Sequence, residues 1–150
     1  MVNVNLDEMF KLNAGGAIFV LDSSEEGGLV GRAEELRFRV FRINGERTIT
    51  KDTLLSAFAD VFSFPDYFGH NWDALDECLR DLTWLERVNF ILVFEKADKL
   101  LALGPQDFST LIGILSRATF SWRAECVTFS VILLGGTEAS AAVEAALVKD

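Results

Sequence analysis

The sequence predicts an α/β fold with a small parallel β-sheet packed with helices. Short apolar runs that suit buried strands alternate along the chain with segments whose apolar residues recur at helical spacing. Strands separated by helices pair in parallel through right-handed crossovers. Half of the 150 residues are hydrophobic and thirteen are Phe, which is enough to build one substantial core. No repeat or linker divides the chain, so we predict one domain over residues 1–150.

Four segments are predicted to be strands because each is a short apolar run with turn or polar residues at its ends. The third and fourth runs are almost continuously apolar, which is typical of strands covered on both faces. An Asn-Gly turn follows the second run, but the TITKD segment after it is too short to form a convincing hairpin partner. The predicted strands cover residues 17–21, 37–43, 88–95 and 127–134.

Helices are predicted between and after these strands. Residues 1–16 give weak signals, and residues 22–28 are polar and predict a loop. A helix capped by Thr50 or Asp52 is expected to bury five residues at helical spacing, namely Leu54, Leu55, Phe58, Val61 and Phe62. A further helix starts at Gly104-Pro105, with proline at its first position. The other expected helical segments are residues 29–36, 72–82, 97–103 and 137–149.

The helix predicted over residues 72–82 is the most informative segment. Gly69 breaks the chain before it, and Asn71 stands where an N-cap residue is expected. Its apolar side carries Trp72, Leu75, Cys78, Leu79 and Leu82, and its other side carries Asp73, Asp76, Glu77, Asp81 and Arg80. Like charges at i, i+4 and i+8 destabilise a helix by roughly 0.2–0.5 kcal/mol per pair.

This acidic face has two interpretations. It is either an ordinary solvated face with one compensating arginine, or a surface that awaits a cationic partner. Residues 52–86 favour the second, because Arg80 is their only base. The acidic residues of this segment are Asp52, Asp60, Asp66, Asp73, Asp76, Glu77, Asp81 and Glu86.

Composition excludes several other function classes. A net charge of −9 argues against direct nucleic-acid binding, and no apolar run approaches the ~20 residues that a membrane helix needs. No signal-peptide pattern is visible, and two cysteines form no disulfide framework, so we expect a cytoplasmic protein with reduced thiols. The sequence predicts no cofactor, no metal site and no small-molecule substrate. An enzyme that uses His70 with Asp73 and Glu77 is the disfavoured alternative, since no catalytic motif accompanies them.

The segment PDYFGHNWDALDECL, residues 65–79, resembles the signature of the barstar family of ribonuclease inhibitors. Ile43-Asn44-Gly45-Glu46 resembles the first strand and turn of that family, and the resemblance covers residues 38–134. It implies a barstar-like core of three parallel strands, to which this chain adds an N-terminal strand and a C-terminal helix.

The resemblance also implies a binding surface. Tyr67 and Asp73 match an interface tyrosine and aspartate, and Glu77 takes the place of the central aspartate that enters the ribonuclease active site. Asp76 replaces an interface tryptophan, and a further interface glutamate is replaced near Arg117. The implied partner-binding residues are Tyr67, Gly69, His70, Asn71, Asp73, Asp76, Glu77, Arg80 and Asp81.

The sequence therefore predicts a cytoplasmic, non-enzymatic inhibitor that blocks a basic ribonuclease or related toxin. A barstar-fold interaction or regulatory module whose partner is not a nuclease is the alternative.

Overall fold

A computed structural model describes residues 5–12 and 16–149 of the chain. Its helices are α1 (Leu6–Leu12), α2 (Glu26–Glu35), α3 (Lys51–Val61), α4 (Trp72–Asp81), α5 (Pro105–Arg123) and α6 (Thr137–Lys149). Its strands are β1 (Ile18–Leu21), β2 (Arg39–Asn44), β3 (Phe90–Glu95) and β4 (Phe129–Leu134). Short 3-10 helices cover Ser23–Glu25, Gly45–Arg47 and Ala97–Leu103. The predicted α/β class is confirmed.

The four strands form one parallel sheet in the order β1-β4-β3-β2. From β2 the chain steps to β3 and then to β4, whereas from β1 it crosses the whole sheet in the opposite direction to reach β2. Right-handed crossovers that run in opposite directions must place their helices on opposite faces. Both faces of the sheet are therefore covered.

The first face carries the larger core. Side chains of β2, β3 and β4 pack there with buried residues of α3, α4, α5 and α6. Phe62 stacks on Phe41 with ring centroids 4.3 Å apart, and it also contacts Phe58, Phe64 and Phe129. Such ring pairs contribute about 0.5–1.5 kcal/mol beyond the area that they bury. The many phenylalanines of the sequence are thus concentrated where α3 meets the sheet.

The second face is covered by α1 and α2. Met9 of α1 and Leu29 and Ala33 of α2 are fully buried against alternate residues of the strands, such as Ile91 and Ile132. This face explains why β3 and β4 are apolar at consecutive positions, since their side chains are buried whichever way they point.

Two tryptophans fix the helices of the first face. The indole N–H of Trp84 donates to the carbonyl of Phe62, just past the end of α3, at 2.8 Å. The indole N–H of Trp122 in α5 donates to the carbonyl of Leu79 in α4, also at 2.8 Å. Each bond satisfies a carbonyl in the last turn or C-cap of a helix, where intrahelical partners run out. The Trp122 bond ties α4 to α5.

The polar loop predicted over residues 22–28 is wrong. A 3-10 helix starts at Ser23, and α2 already begins at Glu26 and runs through Gly27 and Gly28. Glycine costs a helix about 1 kcal/mol relative to alanine, which is why the sequence favoured a loop. The packing supplies the reason for Gly28: a Cβ there would lie 2.9 Å from a side-chain methyl of Leu6 in α1.

The other differences concern ends and short elements. Strand β2 starts at Arg39 because Arg37 has a φ of +63°. Thr50, rather than Asp52, caps α3 by accepting a hydrogen bond from the N–H of Thr53. Residues 1–16 gave only weak signals, and the helix α1 that the structure shows there was not predicted. Residues 1–4, 13–15 and 150 of the predicted domain lie outside the described residues.

The basic residues between positions 32 and 51 form no ion pair with the acidic residues of segment 52–86 in the described part of the chain. Arg32 pairs with Asp7, and Arg42 lies 3.8 Å from Glu26. Lys51 lies over the ring of Trp72 at 5.5 Å. In the part of the chain that the structure describes, no helix is long and apolar enough to cross a bilayer.

Leu79→Ala should destabilise the protein by about 2–5 kcal/mol, because the side chain is 0% exposed and its loss leaves a cavity in the larger core beneath α4. Val148→Ala is the control, since Val148 is 86% exposed and should change stability little. Urea unfolding of both variants gives the measurement. Equal effects would contradict the placement of α4.

Candidate protein-interaction surface

The surface begins where the loop of residues 62–71 enters α4. Asn71 is extended, and its side-chain oxygen accepts from the N–H of Ala74 at 2.8 Å. Its side-chain amide donates to the carbonyl of Gly69 at 3.1 Å. A Cβ at Gly69 would lie 3.2 Å from that same amide nitrogen. One side chain therefore both caps α4 and holds the preceding turn.

His70 links this turn to α3. It has a φ of +50°, a conformation that a non-glycine residue rarely adopts. Its Nε2 lies 3.1 Å from the hydroxyl of Ser56, and its ring contacts the ring of Phe68. In the described chain His70 has no ion pair with Asp73 or Glu77, so the side chains do not form the dyad that an acid–base mechanism would need.

Tyr67 lies on the outside of the loop and is 70% exposed. Desolvation and then the charges of Asp81, Cys78 and Glu77 raise the pKa of its phenol. Tyr67 is thus within electrostatic reach of the C-terminal half of α4, although it precedes the helix in sequence. A large exposed ring next to carboxylates is a suitable contact residue for a protein partner.

Asp73, Glu77 and Asp81 follow one another along α4 and form what we call the acidic ridge. Asp73 and Glu77 are exposed and Asp81 is half-buried. None of the three has an ion pair among the described residues. Burial, and then the charges of Asp81 and Glu77, raise the pKa of the Cys78 thiol. The ridge is thus a line of negative charge that the described chain leaves uncompensated.

Asp76 differs from the ridge because two arginines hold it. Arg80 of α4 lies 3.3 Å away, and Arg117 of α5 lies 3.6 Å away. The carboxylate is only 22% exposed, whereas both arginines are about half exposed. Asp76, Arg80 and Arg117, which we call the Asp76 cluster, carry one net positive charge beside the acidic ridge.

The structure places all nine predicted binding residues at the surface, exposed or half-buried. It brings Tyr67 within electrostatic reach of Asp81 and Glu77, and it links His70 to Ser56 of α3. Asp76 and Arg80 differ from the other predicted residues because their side-chain charges are paired with each other. The predicted residue set did not include Arg117, although the family resemblance placed a replaced interface glutamate near it; the structure shows that Arg117 lies 3.6 Å from Asp76.

The comparison with protein families decides the relationship of this chain. The family model described as Barstar (barnase inhibitor) matches residues 38–134. The chain belongs to the barstar family. Among curated proteins no match is found.

The matched residues run from β2 to β4 and contain the whole candidate surface. Helices α1, α2 and α6 and strand β1 lie outside the match. Members of the barstar family are inhibitors rather than enzymes, so the family supports a binding surface here. Within the described residues, no group of three or more His, Cys, Asp or Glu side chains could hold a metal ion. Cys78 and Cys126 are both free.

Asn71→Ala should cost about 1 kcal/mol of stability, because the N–H of Ala74 loses its side-chain acceptor. Asn71→Asp should retain most of the stability, since aspartate caps equally well. Thermal unfolding of both variants measures the difference. If both variants unfold at the same temperature, the side-chain hydrogen bond to the N–H of Ala74 does not stabilise the helix that carries this surface.

Proposed function

We propose that this chain is a cytoplasmic inhibitor of a basic ribonuclease or related toxin. The loop and α4 would cover the active site of the partner. The observation that carries this proposal is the acidic ridge, three carboxylates in line with no cation of the described chain to balance them. Membership of a family of barnase inhibitors supports it.

The chemistry of a ribonuclease site suits such a ridge. An enzyme that binds RNA presents cations to the phosphates, and carboxylates can take the place of the phosphates as acceptors. Hydrogen bonds between guanidinium or ammonium groups and carboxylates are among the strongest in proteins. Glu77 lies in the middle of the ridge and would enter the site, with Asp73 one turn before it and Tyr67 packing beside it.

The proposed inhibitor does no chemistry itself. Its action is steric and electrostatic, so it needs no cofactor, metal or small-molecule substrate, and it contacts neither nucleic acid nor membrane. Binding leaves α4 in place because the helix is fixed from below by Leu75 and Leu79, which are 0% exposed, and by the Trp122 bond. A rigid surface loses little conformational entropy on binding.

The Asp76 cluster supports a second candidate, in which the partner is not a nuclease. Its net positive charge would repel cations at the border of the surface. A partner with a carboxylate opposite Arg117 would fit both the ridge and the cluster. Inhibition of RNA cleavage by the purified cognate partner distinguishes the two candidates.

Glu77→Gln should weaken binding by about 2–5 kcal/mol, mainly through faster dissociation, because the cations of the partner would be buried without a counter-charge. Its stability should stay near that of the wild type, since Glu77 is exposed and has no ion pair in the described chain. Calorimetry against the cognate ribonuclease or toxin gives the binding free energy, and thermal unfolding gives the stability.

Glu25→Ala is the matched control, because it removes one carboxylate from the 3-10 helix after β1. It should bind as the wild type does. If Glu25→Ala weakens binding and Glu77→Gln does not, the interface lies away from α4. If Glu77→Gln unfolds the protein, the carboxylate has a structural role instead.

Arg117→Ala should accelerate association with a cationic partner and make its rate more dependent on salt, because it removes a positive charge beside the ridge. Arg32→Ala makes the same change in net charge near α1, on the opposite face of the sheet, and should alter the rate less. Stopped-flow association at several salt concentrations measures both. Rates that do not respond to salt would contradict electrostatic steering.

A further inference from the structure

The two edges of the sheet differ in accessibility. All four residues of β1 are buried. Residues of β2 alternate between exposed, half-buried and buried, and this strand ends the sheet on the other side. The described sheet therefore has one accessible edge, which is β2.

Backbone groups on this edge lack a neighbouring strand. The N–H of Arg39 donates to the carbonyl of Asn89 at 2.8 Å, so the groups of Arg39 face β3. Since hydrogen-bonding direction alternates along a strand, the N–H and C=O of Val40 and Arg42 point outward. Unpaired groups of this kind form a template for another extended chain. The next outward carbonyl, that of Asn44, accepts from the hydroxyl of Thr48 at 3.2 Å.

A groove runs between this edge and α3. It has a volume of about 510 Å³. Ile43, Ala57 and Val61 supply apolar lining, and Thr53 and Ser56 supply hydroxyl groups. An extended segment laid along β2 would point every second side chain into this groove, because side chains alternate along a strand. The groove is wide enough for small apolar side chains at those positions.

The charge of the edge is opposite to that of the chain as a whole. Between residues 37 and 47 there are four exposed arginines, Arg37, Arg39, Arg42 and Arg47. The one acidic residue in this stretch, Glu46, is paired with Lys96 at 2.6 Å. The acidic residues of the groove, Asp52 and Asp60, belong to α3 rather than to the strand. Arg42 lies 3.8 Å from Glu26 of α2, whereas Arg37, Arg39 and Arg47 have no ion pair among the described residues. A chain with a net charge of −9 thus presents a basic strand.

We propose that β2 is a docking site for an extended acidic segment of a partner protein, which adds to the sheet as a fifth strand. Main-chain hydrogen bonds to Val40 and Arg42 would hold the segment, and arginines would pair with its carboxylates. This surface is separate from the acidic ridge, so the inference does not depend on the proposed inhibition.

Other occupants fit the edge less well. A second copy pairing through β2 would bring the arginines of both copies together, and like charges on adjacent strands are destabilising. Single-stranded nucleic acid is held by aromatic rings on which its bases stack. The ring within this strand, Phe41, is buried and already stacks on Phe62. Charge and shape together favour an acidic peptide.

The test uses the full chain and a fluorescent peptide of about eight residues that alternates Glu and Val, the pattern suited to strand addition. Fluorescence anisotropy should show binding, and amide hydrogen exchange should show protection at Val40 and Arg42. A peptide with Lys in place of Glu should not bind. A peptide with proline at alternate positions should not bind either, since proline has no N–H to donate.

Two variants separate the contributions. Val40→Pro removes an outward N–H, which an edge strand tolerates, together with a side chain that packs partly against the second core, and should abolish binding. Arg39→Glu with Arg47→Glu should weaken binding of the acidic peptide roughly tenfold or more and allow the lysine peptide to bind. Arg32→Glu is the control for charge, because Arg32 pairs with Asp7 away from the edge. If Val40→Pro does not fold, the charge-reversed double variant still tests the proposal.

Several results would overturn the proposal. These are peptide binding without protection at Val40 and Arg42, equal binding by the charge-reversed variant, or preference for a single-stranded oligonucleotide over the acidic peptide. Concentration-dependent dimerisation that protects the same two amides would show that the occupant is a second copy. Absence of inhibition by the acidic ridge would leave this result unaffected, so the two proposals fail separately.

Discussion

The right-handed crossover is the constraint on which the arrangement of this protein depends. Because the chain crosses from β1 to β2 in one direction and returns through β3 to β4 in the other, its helices must divide between the two faces. Helix α2 is left to the second face, and α3, α4 and α5 share the first. Helix α4 then packs against α5 and turns its acidic side to solvent.

The two surfaces of functional interest arise from this arrangement in different ways. The acidic ridge exists because α4 buries one side and its carboxylates find no cations on the described neighbouring elements. The basic edge, which is the outer side of β2 with its arginines, exists because β2 is the last strand of the sheet and pairs with β3 only. Both are places where side-chain or backbone groups are left without partners within the described fold. They carry opposite charges, so the two proposed surfaces suit partners of different chemistry.

The Asp76 cluster shows how tertiary contacts change the meaning of a residue. In the sequence, Asp76 is one of several carboxylates on an acidic helix. In the fold, the guanidinium groups of Arg80 and Arg117 lie within 3.6 Å of it and reverse the sign of the local charge. A family member that keeps the backbone of the binding helix can thus alter the charge at its border. For the proposed binding surface, this border is where partners of different charge would be distinguished.

The sequence by itself determined the elements with strong local signals. Glycine and proline indicated the helix boundaries near Gly69 and Pro105, and Asn71 was recognisable as the N-cap of α4. The apolar runs of β3 and β4 predicted a sheet that is covered on both faces. It also determined which side of α4 is acidic, since helical periodicity alone separates that side from Leu75 and Leu79.

Only the tertiary structure decided what depends on packing between distant segments. Helix α2 runs through Gly27 and Gly28 because burial of Leu29 outweighs the low helix propensity of glycine. The positions of Tyr67 beside Asp81 and of Arg117 beside Asp76 follow from how the loop and α5 lie against α4. Local sequence cannot encode such contacts, because each depends on where the sheet has brought the rest of the chain.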